Sequence, residues 1–303
     1  MKLRNILITA AAAGMMFASA DRVGVVGYSA GDYTDMNTYA HKAAGQNVAH
    51  TAGDDFTAVW TNDGTTWGFS SGSENQLVDM LWSNGTYGLS VGLDMPAGGD
   101  TTLDLGFGME LMGYDFGFHY NTLENADNAM SLNLRGGCGF WAFDTMTFSY
   151  DSGNLGVENT AYTHLDVGMY GTHTWGAATG MFGMGVTSSD HTGYNAGGGW
   201  APASGWADPV TLINTNFSVE STLTDWCDLR IGYSKSFNMS ALDGEDSSVD
   251  HYAAGLGFNY GSVQLDLTLA AGALDNMFAN PMSTITGYSD DTLTSTWTLS
   301  YTW

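Results

Sequence analysis

The last twelve residues, "TLTSTWTLSYTW" (292–303), alternate without a break. Leu293, Ser295, Trp297, Leu299, Tyr301 and Trp303 share one parity, and Thr294, Thr296, Thr298, Ser300 and Thr302 share the other. Successive side chains of a strand point to opposite faces, so this stretch reads as a strand with one apolar and one polar face. A water-soluble sheet could be built the same way, with its apolar face turned to a core. The rest of the chain has to decide.

The pattern recurs. Leu103, Leu105, Phe107 and Met109 oppose Asp104, Gly106, Gly108 and Glu110, and Tyr114, Phe116, Phe118 and Tyr120 oppose Asp115, Gly117 and His119. Val263, Leu265, Leu267 and Leu269 likewise oppose Gln264, Asp266 and Thr268. The alternation predicts strands near 46–52, 55–61, 65–71, 76–83, 86–94, 101–110, 114–121, 129–140, 144–150, 160–172, 175–187, 209–221, 225–237, 248–259, 262–273 and 293–303. That is about sixteen, or about fourteen if residues 21–61 instead fold as a luminal segment. Within that region "DYTDMNTYAHKAAGQ" (32–46) reads as a short helix.

The connections alternate in length. "NDGT", "SNGT", "LMGY", "GTHTW" and "TLTDW" are short, whereas "MPAGGD", "NTLENADN" and "SSDHTGYNAGGGWAPASGWADP" are long. A sandwich has no reason to sort its loops by length, but a transmembrane barrel has short turns at one rim and longer loops at the other. Seven of the ten tryptophans (Trp60, Trp67, Trp82, Trp141, Trp175, Trp226 and Trp303) lie by the short turns or at the terminus. That gathering fits a bilayer interface, where an indole ring is buried while its N–H stays wet. Tyr120, Tyr150 and Tyr252 fall toward the other rim.

The start of the chain, "MKLRNILITAAAAGMMFASA", has Lys2 and Arg4, an uncharged stretch and a small-residue Ala18-Ser19-Ala20. It reads as a secretory signal peptide (1–20) cleaved before Asp21. Residues 21–303 then read as a single domain, with 21–45 a luminal or periplasmic N-terminal segment. This part has five basic residues, Arg22, Lys42, Arg135, Arg230 and Lys235, against 32 acidic ones. So few cations argue against a nucleic-acid partner. The glycine and aromatic content, 41 Gly with 15 Tyr, 14 Phe and 10 Trp, argues against disorder.

On its alternating strands, sorted loops, leader and terminal "WTLSYTW", the chain resembles the outer-membrane β-barrel proteins of Gram-negative bacteria, porin-like ones included. No particular subfamily is matched. The resemblance implies an antiparallel transmembrane barrel with both termini periplasmic. Its surroundings would be outer-membrane lipid and lipopolysaccharide. Trp297, Leu299, Tyr301 and Trp303 would form the signal read by the barrel-assembly machinery. Whether such barrels assemble as a homo-oligomer is left open.

With the leucines and aromatics facing lipid, the opposite parity lines the lumen. It carries Asp94, Asp104, Glu110, Asp115, Asp166, Glu220, Asp228 and Asp266, together with Arg135, Arg230, His119, His164 and His251. A polar lumen at this strand count can hold water, and an acidic wall favours cations. The expected function is passive diffusion of small hydrophilic solutes with cations preferred. The alternatives are a non-conducting structural or surface-interaction barrel, and a hydrophobic-substrate channel with an N-terminal plug. Arg135 and Arg230 are either neutralised by neighbouring carboxylates or form a substrate-contacting pair at a constriction. Enzyme chemistry would need a nucleophile, a His and an acid clustered at a rim. Ser189, Asp190 and His191 are merely adjacent. No cofactor or metal is called for, since the acidic "LDGEDSSVD" and "GYSDD" match no defined calcium loop. Cys138 and Cys227 take the lipid-facing parity on distant strands, too far apart for a disulfide.

Overall fold

The computed structural model describes residues 20–27, 33–52, 55–72, 76–95, 101–122, 128–154, 161–190, 210–239, 248–269 and 295–303. Sixteen strands follow one another around a closed ring. They are β1 (Val48–Ala52), β2 (Asp55–Asn62), β3 (Thr65–Ser71), β4 (Gln76–Ser83), β5 (Tyr87–Asp94), β6 (Thr102–Leu111), β7 (Tyr114–Asn121) and β8 (Ala129–Phe140). The second half is β9 (Phe143–Asn154), β10 (Ala161–Trp175), β11 (Ala178–Ser189), β12 (Val210–Thr224), β13 (Cys227–Asn238), β14 (Ser248–Tyr260), β15 (Val263–Leu269) and β16 (Ser295–Thr302). Every pairing is antiparallel. β1 closes on β16 with Ala49 opposite Tyr301, and the Trp303 N–H donates to the Asn47 carbonyl at 3.3 Å. Closure leaves no sheet edge unpaired, which backbone in lipid requires.

Period-two alternation decides the two faces. Phe56, Trp60, Phe69, Leu89, Val91, Leu105, Val167, Val186, Phe217 and Ile231 are exposed on the outside. An apolar exterior carried right round a barrel is the surface a bilayer covers. Trp60, Trp67 and Trp82 stand opposite one another across β2, β3 and β4, two pairs back from the short turn. They form an aromatic row at that rim, and the Trp226–Phe258 and Tyr301–Trp303 ring stacks lie at the same rim. No helix among the described residues is long and apolar enough to cross a membrane.

The short turns follow from local chemistry. Asp63 and Gly64 both have positive φ, 50° and 76°, which matches the two-residue turn whose twist suits a hairpin. Met112 and Gly113 repeat that geometry at 56° and 82°. The stretch 32–46 departs from the expected short helix. It forms two 3-10 turns, Tyr33–Asn37 and Ala40–Ala43, broken where Thr38 and Tyr39 bring their backbone against the barrel wall. An α-helix, α1 (Ala20–Val26), precedes them. These N-terminal pieces touch the inward faces of the strands.

Candidate functional site

The N-terminal segment meets the lumen wall at two places. α1 rests on β12 to β16. Gly232 and Gly255 lie under Val25, and a Cβ on Gly232 would overlap the Val25 carbonyl. The Ser218 hydroxyl donates to the Val26 carbonyl at 2.8 Å, and Thr268 donates to the Asp21 carbonyl at 2.9 Å. The Asp21 carboxylate accepts from the hydroxyls of Thr296 and Thr298. Arg22 donates to Glu220 at 2.7 Å, and Glu220 also accepts from Arg230 at 2.7 Å. Arg230 in turn donates to Asp266 at 2.5 Å, and Gln264 donates to the same carboxylate. The chain of charges Arg22–Glu220–Arg230–Asp266 therefore runs from helix to wall, each carboxylate shared or supported.

The second 3-10 turn, Ala40–Ala43, rests on the other wall, on β4, β5 and β6. Gly88 and Gly108 sit directly beneath the Ala40–His41 backbone, and Gly117 sits beneath the Thr38 carbonyl. No other residue lets a main chain come so near a strand. Ser83 donates to the His41 carbonyl at 3.0 Å, and the Gly45 N–H donates to Thr66 at 3.0 Å. Tyr33, Met36 and Ala43 bury themselves against Val48, Val59 and Leu81 on the wall. The parity reading implies a mostly polar lumen, and this small apolar cluster is an exception on its wall. The wall is apolar where the segment covers it.

Charge converges here too. Arg135 donates to Asp35 at 2.6 Å and to Asp115 at 2.9 Å, and its guanidinium lies 4.8 Å from the centre of the Tyr39 ring. Asp115 also meets Lys42 at 2.7 Å and His41 Nε2 at 3.1 Å. In the ring order β6 and β14 are eight strands apart, so these two attachment sites lie on opposite walls. Residues 21–27 and 33–47, called the strut below, are thus anchored on opposite walls of the lumen.

All the residues expected to line the pore stand on inward parity, but they divide into two groups. Asp115, Glu220, Asp266, Arg135 and Arg230 are taken up in the two charge clusters. The side chains of Asp266 and Arg230 are 0% and 2% exposed. They do not face open lumen, because the strut and the neighbouring side chains cover them. The two arginines belong to different clusters, on β8 and β13, and so form no pair at a constriction. Asp104, Asp166 and Asp228 instead accept hydrogen bonds from neutral donors: Asn121, Thr187, and Thr222 with Asn259. Glu110 and His251 are exposed, and His164 is partly buried.

A cavity of about 570 Å³ remains between the strut and β1 to β7, toward the long-loop rim. His50, Asp55, Asp79, Asp94, Asp104 and His119 line it. Parity arguments named Asp94, Asp104 and His119, and missed His50, Asp55 and Asp79. They missed Asp21, Arg22, Asp35, His41 and Lys42 as well, because no strand pattern covers the strut. One signal for the latter was available: four of the five basic residues beyond residue 20 lie in these clusters.

His41, Glu110 and Asp115 bring ligand atoms within 4.8 Å of one another. Lys42 and Arg135 already hold Asp115, and two cations at that carboxylate disfavour a metal ion there. Asp190 accepts the Thr163 N–H at 2.5 Å, a backbone cap at the end of the β10–β11 pair, while His191 lies outside the described residues. Cys138 and Cys227 are both free thiols. Most of the long loop 188–208 and of both acidic loops lies outside the described residues.

No protein-family model and no curated protein matches the chain. Solved structures resemble it in outline. A porin refined at 1.8 Å resolution shares 11% identity at a TM-score of 0.47, over 84% of this chain and 98% of that one. An anion-selective porin from Comamonas acidovorans shares 10% at 0.45, over 84% and 95%. OmpT, an outer membrane protein of Vibrio cholerae, shares 11% at 0.39, over 85% and 95%. Similarities at this level say nothing of what the chain transports or binds.

Proposed function

We propose that the chain is an outer-membrane channel for passive diffusion of small hydrophilic solutes, with cations preferred. The observation that carries this reading is the cavity left between strut and wall with Asp55, Asp79, Asp94 and Asp104 in its lining, set inside a closed barrel whose exterior is apolar. A barrel of sixteen strands is wide enough for its lumen to hold water beside a filling segment. Asp55, Asp79, Asp94 and Asp104 give that space its charge. The basic residues that could offset them are engaged elsewhere, in the clusters that hold the strut. Confined carboxylates raise the local cation concentration and oppose anions, an effect that salt weakens.

Export through a cleaved leader and insertion by the assembly machinery belong to the same proposal. They are supported by the residue pattern of 1–20 and by the outward Trp297, Leu299, Tyr301 and Trp303 on the closing strand. Swelling of liposomes that contain the purified protein tests the reading. Small neutral and cationic solutes should enter faster than anionic ones of equal size. Swelling no faster than that of protein-free liposomes would remove it.

A further inference from the structure

We infer that the N-terminal strut, residues 21–27 and 33–47, is a fixed part of the lumen and sets the bore of the channel. The inference rests on the channel reading above and adds the element that limits solute size. Three independent features of the wall are shaped to the strut. Gly88, Gly108, Gly117 and Gly232 leave room for its backbone where any side chain would collide with it. Val48, Val59 and Leu81 place apolar side chains on a face that would otherwise meet water, and Tyr33, Met36 and Ala43 cover them. Charges at both ends are matched across the contact, Arg22 to Glu220 and Asp35 to Arg135.

The distribution of positive charge makes the same point. Arg22, Lys42, Arg135 and Arg230 all lie in the clusters at the strut's ends, and the remaining base, Lys235, pairs with Asp250 on the outer face. Attached on opposite walls, residues 21–27 and 33–47 occupy lumen that solute would otherwise pass through. A partly buried pair is costly to break from one side, which favours a permanently seated strut over a mobile gate.

The closing experiment separates this inference from the reading it rests on. Arg22→Gln combined with Asp35→Asn and Lys42→Gln removes the strut's ion pairs with Glu220, Arg135 and Asp115 but leaves the barrel's own charges paired. Glu220 keeps Arg230 and Arg135 keeps Asp115. Heat-modifiable migration checks that the variant barrel is folded. In planar bilayers, graded neutral polyethylene glycols read the exclusion size. The variant should admit larger polymers than the wild type and show a higher single-channel conductance. Zero-length carbodiimide coupling of the folded wild type should also join Lys42 to Asp115, read by mass spectrometry, and should fail after unfolding. An unchanged exclusion limit in a conducting, folded variant overturns the inference while the channel reading stands. Absence of the Lys42–Asp115 cross-link overturns it as well, whatever the variant does. A barrel that passes no current in either form, with the cross-link made, contradicts the channel reading rather than the seating of the strut.

Discussion

Arg135 and Asp35 are a hundred positions apart in the chain, and their side chains meet at 2.6 Å across the contact between barrel wall and strut. The same guanidinium reaches Asp115 on the neighbouring strand, so one cation ties together two carboxylates that would otherwise repel. The carboxylates differ in how much depends on them. Asp35 has Arg135 as its charged partner, whereas Asp115 is shared by Arg135, Lys42 and His41.

That difference predicts an order of effects. Asp115→Ala leaves two cations facing one carboxylate in a mostly buried cluster, and should cost about 3–5 kcal/mol, the range for an orphaned buried charge. Asp35→Asn leaves Arg135 paired with Asp115 and should cost markedly less. Urea unfolding of the refolded barrel in detergent, followed by tryptophan fluorescence, gives both values. Equal costs, or a costlier Asp35→Asn, would count against this account of the cluster.

Charge selectivity should follow position rather than parity alone. Asp94→Asn with Asp104→Asn removes two carboxylates from the cavity and should lower the cation-to-anion permeability ratio, most visibly at low salt. Asp266→Asn should instead lower stability, because Asp266 is buried against Arg230. A reversal potential that responds to Asp266 and ignores Asp94 and Asp104 would show that the path lies elsewhere.

The exterior is open to a direct challenge. Leu105 stands opposite Val91 and Tyr120, near the middle of β6, with its side chain outward. Leu105→Arg should destabilise the barrel in lipid by up to about 2–4 kcal/mol, the midplane cost of a lipid-facing cation. The same substitution at Ser90, which lies on the inward parity, tests space and charge in the lumen instead. A neutral effect of Leu105→Arg on bilayer refolding would mean that this face meets water.

The terminal strand gives an assembly test. Trp303 stacks on Tyr301 with ring centres 5.9 Å apart, beside the β1–β16 seam that closes the barrel. Deleting Trp303 should reduce the amount of heat-modifiable barrel in the outer membrane while export continues. Wild-type levels of folded barrel would remove the terminal residue from the assembly signal.

How much of this was legible beforehand depends on which rule governs each part. Strand faces obey a local period of two, so Leu103 to Met109 against Asp104 to Glu110 declared the inside and outside of β6 directly. Counting such runs gave about sixteen strands, or about fourteen with 21–61 inside the lumen, and β1 and β2 prove to be strands of the closed ring. The strut obeys no period. Asp35 finds Arg135, and Arg22 finds Glu220, through contacts far apart in sequence, and only the barrel's closure sets them face to face. The helix expected over 32–46 failed for the same reason. Contact with Gly88, Gly108 and Gly117 dictates that backbone, and its own propensity does not. Several inward glycines, Gly88, Gly108 and Gly117 among them, make room for the strut's backbone.

The most direct measurement of the central claim is the current through the purified wild-type barrel in a planar bilayer under a salt gradient. Stepwise single-channel conductance is predicted, with a reversal potential on the cation-selective side that shrinks as salt rises. No current, or a reversal potential of the opposite sign, would contradict it.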